Sequence, residues 1–177
     1  RETRLACTRY GNVVGSRGSV VPVFLKQRAS GKLTVTDERM TRFWISLEQG
    51  VRFVIRCIEN MRGGEVFVPK IPSMSVKDLA IAIAPEAEIS YTGIRPGERL
   101  HELLISEDEA RNAVEFDDMF VVQPSGMTWF GRDWEKDGKK LPEGYHYSSD
   151  NNTEWLDLDG IKEMIAPFKE AFDKGQP

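Results

Sequence analysis

The chain has 177 residues, of which 40% are hydrophobic and 29% charged, enough to bury the core of one compact domain or of one and a half. Its 28 acidic residues outnumber the 24 lysines and arginines, and the net charge of −4 gives no sign of a general surface for nucleic acid or for an anionic membrane. No apolar run approaches the length of a membrane span. We therefore expect a globular, cytoplasmic protein that holds any anionic ligand through local arginines.

The chain begins with a predicted strand, a loop and the entry to a helix. The β-prone run Leu5–Tyr10 ends at Gly11, and the small residues that follow let the backbone approach a ligand closely. Asn12 adds a hydrogen-bond donor and an acceptor on one short arm. Ser19 is expected to cap a helix whose first turn contains Pro22, so that the first amides can face an anion. The alternative is a glycine-rich turn without a ligand.

The glycine spacing excludes one familiar interpretation of this loop. Gly11, Gly15 and Gly18 follow the order G-x-x-x-G-x-x-G, which differs from the dinucleotide fingerprint G-x-G-x-x-G. In addition, no tyrosine is followed by a lysine four residues later. Neither a cofactor pyrophosphate loop nor a proton-relay Tyr-x-x-x-Lys pair is therefore present.

Hydrophobic periodicity and capping residues predict alternating strands and helices along the rest of the chain. The predicted strands are 33–36, 41–45, 65–69, 88–94 and 119–122. The predicted helices begin after Ser46, which starts a capping box, after Ser75, near residue 100 and near Asp157. Residues 126–152 are expected to form a long surface excursion. This alternation indicates the α/β class.

Several side chains are expected to be structural. Cys7 and Cys57 lie in apolar segments without metal-ligand spacing and are expected to be buried, reduced thiols, so we predict no metal site. His101 and His146 are isolated in sequence, and we assign neither a catalytic nor a metal role. An apolar stripe on the helix after Ser46 predicts packing against a sheet or another helix. Its members are Val51, Val54, Ile55, Ile58 and Met61.

Two arginines suit a diphosphate ligand. Arg42 lies where a strand gives way to a helix, and Arg95 follows a strand ahead of Pro-Gly. A guanidinium is planar and permanently charged, with donors spaced to hold two oxygens. Glu98 could accept a hydrogen bond from a ribose hydroxyl. Taken singly, each of these residues is more often part of an ordinary surface salt bridge, and the residue types alone support an anion-binding α/β half-domain.

Together, four motifs resemble the carboxyl-terminal half of the inverting UDP-N-acetylglucosamine 4,6-dehydratases, which are extended short-chain dehydrogenases. The similarity is specific from about residue 4 to residue 101 and looser to the end, and the absence of an initiator Met or signal peptide fits a piece of a longer protein. The motifs are 9–19 (RYGNVVGSRGS), 37–44 (DERMTRFW), 67–74 (FVPKIPSM) and 93–98 (GIRPGE).

The resemblance implies a fold and a division into domains. Residues 1–18 would end a Rossmann-like NAD(P)-binding domain, of which this chain supplies the last strand or strands. Residues 19–125 would form the smaller α/β nucleotide-sugar-binding domain, with elements returning to the Rossmann-like sheet. Residues 126–177 would form a carboxyl-terminal extension with a long loop and a final helix.

The resemblance also implies roles for individual residues. The matched positions place the sugar-diphosphate at Asn12, the nucleotide at Ser19 and Val20, the phosphates at Arg42, Arg95 and Arg17, the ribose at Glu98, uracil at the backbone of Val35, and the cofactor near Tyr10 and Gly11.

In the family, hydride moves from C4 of UDP-N-acetylglucosamine to NADP, water is eliminated across C5 and C6, and hydride returns to C6 with C5 inverted. The products serve surface glycans and flagellin modification. NADP, or NAD, would be bound mainly by residues absent from this chain, which also lacks the catalytic groups, so the chain alone is expected to be inactive. Full-length members form homo-oligomers. The alternatives are a related UDP-N-acetylhexosamine 4-epimerase of capsule synthesis and a non-catalytic nucleotide-sugar-binding module.

Overall fold

The computed structural model describes residues 3–16, 18–124 and 134–175. The strands are β1 Cys7–Thr8, β2 Asn12–Val13, β3 Lys32–Val35, β4 Thr41–Ile45, β5 Val66–Pro69, β6 Ser73–Ser75, β7 Glu88–Tyr91, β8 Leu103–Ile105, β9 Ala113–Glu115, β10 Met119–Val122, β11 Lys139–Lys140 and β12 Tyr147–Ser148. The α-helices are α1 Val20–Arg28, α2 Leu47–Asn60, α3 Val76–Ile83, α4 Glu107–Ala110 and α5 Leu158–Asp173, and a 3-10 turn covers Trp134–Lys136.

The strands form one five-stranded sheet and several smaller ones. The larger sheet has the order β1-β5-β10-β9-β11, in which β1 and β5 are parallel and the other neighbours antiparallel. In the smaller sheets β2 runs parallel to β4 and β3 parallel to β7, while β6 pairs with β4 and β12 with β8 in antiparallel fashion. Helices and parallel pairs together confirm the predicted α/β class.

Strand β4 separates two hydrophobic clusters. Successive side chains of a strand point to opposite faces. Trp44 accordingly packs with the apolar residues of α1, β3, α3 and α5, whereas Phe43 packs with those of β5, β8, β10 and β12. Both side chains are almost fully buried. Arg42, two positions before Trp44, therefore lies on the face that is covered by α1 and β3.

The amino-terminal strand is shorter and more exposed than the sequence indicated. Cys7 is exposed, which contradicts the predicted buried thiol, because β1 is the edge strand of its sheet. Cys57 is buried as predicted, and desolvation raises the pKa of its thiol to about 11. A thiol with so high a pKa is unreactive at neutral pH.

Helix α2 confirms its predicted start but not its predicted packing. The capping box is formed by Ser46 and Gln49. The buried face consists of Gly50, Phe53 and Cys57, whereas Val51, Ile55 and Ile58 of the predicted stripe are exposed among the described residues. The prediction that the stripe packs inward is therefore wrong for these residues. The residues of α2 that pack against the sheet are Phe53 and Cys57, each one position before a member of the predicted stripe.

Two further predictions fail between residues 100 and 152. Residues 103–105 form strand β8 rather than a helix, because they pair with β12 more than forty residues later. Part of the predicted surface excursion is also buried: Trp134 and Tyr147 are only 3% and 4% exposed, while residues 125–133 lie outside the described part of the chain. The final helix begins after the cap Asp157, as predicted. The domain boundaries after residues 18 and 125 stay a prediction.

An ion pair ties the start of the chain to α4. Arg9 Nη2 and Nη1 lie 2.8 and 3.0 Å from Oε1 and Oε2 of Glu109. The same Oε2 also accepts hydrogen bonds from the backbone amide and the hydroxyl of Ser106. The hydrogen bond from Arg9, followed by those from Ser106, lowers the pKa of Glu109 from 4.5 to about 2. The folded state therefore favours the carboxylate form of Glu109.

Acid should weaken this tie. Stabilisation by a carboxyl whose pKa is lowered on folding is complete above its unfolded pKa and disappears as pH falls through the folded one. We expect the free energy of unfolding to fall between about pH 5 and pH 2, and less steeply in Glu109→Gln. Urea unfolding at several pH values measures this, with exposed Glu48→Gln as control. Equal slopes for Glu109→Gln and the parent chain would contradict the expectation.

Candidate nucleotide-sugar site

A cavity of about 360 Å³ opens between the start of α1, the strands β3 and β4, and the turn that follows β7. Its volume lies in the range of small-molecule sites, roughly 300–1,000 Å³. Residues far apart in sequence therefore meet around one space. Seven of the positions singled out from the sequence line it: Asn12, Ser19, Val20, Val35, Arg42, Arg95 and Glu98.

The topology explains this convergence. The loop before α1 follows β2, Thr36 follows β3, and the 92–98 turn follows β7, so each comes from the carboxyl end of a strand in a parallel pair. Ligands of α/β sheets gather at such ends. Strand β4 contributes Arg42 and Trp44 from one face. Trp44 and Thr36 also line the cavity but were not predicted, although strand alternation would have placed Trp44 beside Arg42.

The amino-terminal end of α1 is open toward the cavity. Ser19 occupies the cap position as predicted, but its side chain makes no capping hydrogen bond, and its Oγ is buried with no hydrogen-bond partner among the described residues. The first turn of α1 carries no acidic residue. The helix dipole and free amides at this end favour an anion. By contrast, the other helices are capped by the side chains of Ser46, Ser75, Ser106 and Asp157.

The guanidinium of Arg42 is largely committed to protein acceptors. Its Nη1 donates to the carbonyl oxygens of Thr41 and Leu100 at 2.6 and 3.0 Å, and its Nη2 donates to that of Arg99 at 3.0 Å. Its Nε lies 3.8 Å from Glu102 Oε1. Arg42 thus supplies a fixed positive charge at the cavity wall, with few donors left for a ligand.

Arg95 offers the complementary arrangement. Its side chain is exposed, and no partner for its guanidinium is found in the part of the chain that the structure describes. The turn that carries it is held by Glu98, whose backbone amide donates to the Arg95 carbonyl and whose carboxylate accepts from the Arg95 amide and from Thr36 Oγ1. A fixed backbone with an uncommitted guanidinium suits capture of a phosphate.

Asn12 is oriented by neighbours that the sequence did not reveal. Its Nδ2 donates to Glu102 Oε1 at 2.6 Å and to the carbonyl oxygen of Phe43 at 3.4 Å. Glu102 lies outside the motifs identified in the sequence, and nothing local marks it, because its partners come from distant segments.

Two of the predicted residues lie elsewhere, and a third is outside the described part of the chain. Tyr10 borders a shallow apolar groove beside α2, and Gly11 packs against Phe43, so neither lines the cavity and their proposed cofactor contacts stay a prediction. Arg17 lies outside the described residues. The described residues contain no cluster of three or more His, Cys, Asp or Glu that could hold a metal ion. None of the helices described is both long enough and apolar enough to cross a membrane.

This chain is similar in sequence and in fold to known proteins. It is 48% identical over 174 residues to the UDP-N-acetylglucosamine 4,6-dehydratase (inverting) of Campylobacter jejuni serotype O:2, covering 93% of this chain and 52% of that protein. A UDP-glucose 4-epimerase of Rickettsia rickettsii is 36% identical over 169 residues, covering 93% and 50%. The X-ray structure of Pen from Bacillus thuringiensis matches with a TM-score of 0.79 and 31% identity, covering 94% and 51%.

The chain spans about half the length of the curated relatives that it matches. A family model described as "polysaccharide biosynthesis protein" matches residues 1–124, which is more than half of the chain. The chain therefore belongs to the polysaccharide biosynthesis protein family.

Proposed function

We propose that this chain supplies the nucleotide-sugar-binding part of a UDP-N-acetylglucosamine 4,6-dehydratase that inverts C5. The product would be a UDP-4-keto-6-deoxy-hexosamine, made in the cytoplasm for surface glycans or flagellin. The observation that carries the proposal is the meeting of Asn12, Arg42 and Arg95 around one cavity. The relative named as a dehydratase, at 48% identity, supports it over the epimerase reading, whose named relative is 36% identical.

The cavity offers a complementary surface to each part of a UDP-sugar. Arg95, the fixed charge of Arg42 and the open start of α1 at Ser19 face the diphosphate. The carboxylate of Glu98 takes a ribose hydroxyl, and the backbone near Val35 meets the base. We also assign Arg17 a phosphate contact. Tight placement of the sugar is what a reaction of several steps in one site requires.

Two glycines of the first loop pack closely against the rest of the chain. A Cβ on Gly11 would meet Phe43 at 2.4 Å and one on Gly15 would meet the Phe168 ring at 1.9 Å, so close contact with protein atoms is a sufficient reason for glycine at both positions. NADP, or NAD, which supplies the hydride chemistry when bound, would be held mainly by residues outside this chain. We propose no catalytic residue here, expect no turnover by the chain alone, and infer a homo-oligomeric full-length protein.

Calorimetric titration tests the binding role. We expect the chain to bind UDP-N-acetylglucosamine and UDP, with affinity that falls as salt rises because a diphosphate is held by charge. Free N-acetylglucosamine should not bind measurably, since it lacks the diphosphate. Absence of binding by UDP at low salt would contradict the proposal. For the full-length protein, a product that has lost water identifies a dehydratase, whereas a product of unchanged mass identifies an epimerase.

A further inference from the structure

The carboxylate of Glu102 connects two walls of the cavity without lining it. Its Oε1 accepts a hydrogen bond from Asn12 Nδ2 at 2.6 Å and lies 3.8 Å from Arg42 Nε. Its Oε2 accepts from the backbone amide of Phe43 at 2.9 Å. Since Glu102 is not among the lining residues, its hydrogen bonds reach a ligand only through these neighbours.

Glu102 is itself held by a chain of buried hydroxyl groups. Its backbone amide donates to Ser149 Oγ at 2.9 Å, and Ser149 is fully buried. Ser149 Oγ lies 2.7 Å from Thr41 Oγ1, which lies 2.8 Å from His101 Nδ1. A consistent set of hydrogens has Ser149 donating to Thr41, and Thr41 donating to His101. Residues 101 and 102 are thereby fixed to the start of β4.

An ionised carboxylate can accept hydrogen bonds but cannot donate them. The atom of the Asn12 amide that faces Glu102 must therefore be the donor Nδ2. The two hydrogens of Nδ2 are directed to Glu102 and to the Phe43 carbonyl, so Oδ1 is the atom left for a ligand. An acceptor at this position matches a hydroxyl or N–H donor of a sugar, and it mismatches a phosphate oxygen, which is also an acceptor.

We propose that Glu102 is a positioning residue that fixes the Asn12 amide with its oxygen toward the sugar. This inference rests on the proposed function. Charge attraction is not the reason for a carboxylate here, because a negative charge this close to Arg42 weakens the field felt by a diphosphate. The carboxylate instead fixes the orientation of the amide. An amide that already has the required one of its two orientations loses less conformational freedom when the sugar binds.

A double-mutant cycle in the chain tests the inference. Glu102→Ala should lower the affinity for UDP-N-acetylglucosamine about tenfold and that for UDP no more than about threefold, because UDP lacks the sugar. In an Asn12→Ala background, Glu102→Ala should have little further effect on UDP-N-acetylglucosamine. The isosteric Glu102→Gln keeps one acceptor oxygen, so its affinity for UDP-N-acetylglucosamine should lie between those of the parent chain and of Glu102→Ala. It replaces Glu102→Ala in the test if that variant does not fold. Glu115→Gln, a half-buried carboxylate paired with Lys70, is the matched control.

The outcomes separate this inference from the proposed function. A parent chain that does not bind UDP-N-acetylglucosamine overturns both. If the parent chain binds, equal losses for UDP and the sugar nucleotide, or equal effects of Glu102→Ala with and without Asn12, overturn the positioning role alone. A drop in affinity that is confined to the sugar nucleotide and vanishes without Asn12 confirms it.

Discussion

Replacing Arg95 with Ala should weaken the binding of UDP by about ten- to a hundredfold. A charge-assisted hydrogen bond contributes about 1.5–3 kcal/mol, and each 1.4 kcal/mol corresponds to a tenfold change in affinity. Because no partner for the Arg95 guanidinium is found in the described part of the chain, the loss falls on the ligand rather than on the fold. The melting temperature of the unliganded chain should change little.

Calorimetry at low salt measures this effect, with Arg52→Ala as the matched control. Arg52 is an exposed arginine of α2 that pairs with Glu48 and lies outside the cavity. The variant Arg52→Ala should keep an affinity for UDP within about twofold of that of the parent chain, since surface ion pairs contribute little. Arg42→Ala should lower both affinity and stability, because the Arg42 guanidinium also satisfies backbone carbonyls. Equal losses in Arg95→Ala and Arg52→Ala would count against the site.

The sequence was informative where structure depends on neighbouring residues. The capping box at Ser46 and the cap at Asp157 set the starts of α2 and α5 correctly, because capping is a local hydrogen-bond pattern. The motifs identify Asn12 and Arg95 at the ends of strands. Arg42 was expected where a strand gives way to a helix, whereas the structure has it second in β4. The pairing of the strands brings all three segments to one cavity.

The sequence was uninformative where structure depends on distant partners. Periodicity identified α2 as amphipathic but not which of two adjacent apolar faces packs, and Phe53, not Ile55, is buried. Residues 103–105 form a strand because of residues 147–148. The candidate site also depends on distant partners. Neither the unsatisfied hydroxyl of Ser19 nor the hydrogen bond from Asn12 to Glu102 follows from local sequence.

Gly11→Ala should destabilise the chain strongly, through a single added methyl group. A Cβ at position 11 would lie 2.4 Å from Phe43 Cβ and 2.6 Å from the Phe43 carbonyl oxygen. Phe43 cannot retreat, because it is fully buried and its ring packs against Tyr147 at 4.6 Å between centroids. We expect a loss of about 2–4 kcal/mol and a fall in melting temperature of about 5–15 °C.

Gly50→Ala provides the opposite case for the same change. Gly50 lies inside α2 with open space around the position of a Cβ, so the substitution should stabilise by about 0.5–1 kcal/mol. Urea unfolding gives the free energy of unfolding of both variants. The comparison separates the steric effect of the methyl group at position 11 from the general effect of replacing a glycine by alanine. The methyl group at position 11 must also push β2 away from β4, which moves the adjacent Asn12, so UDP-N-acetylglucosamine affinity should fall with stability. Unchanged stability in Gly11→Ala would mean that β2 does not lie against β4, and the placement of Asn12 in the cavity would be wrong as well.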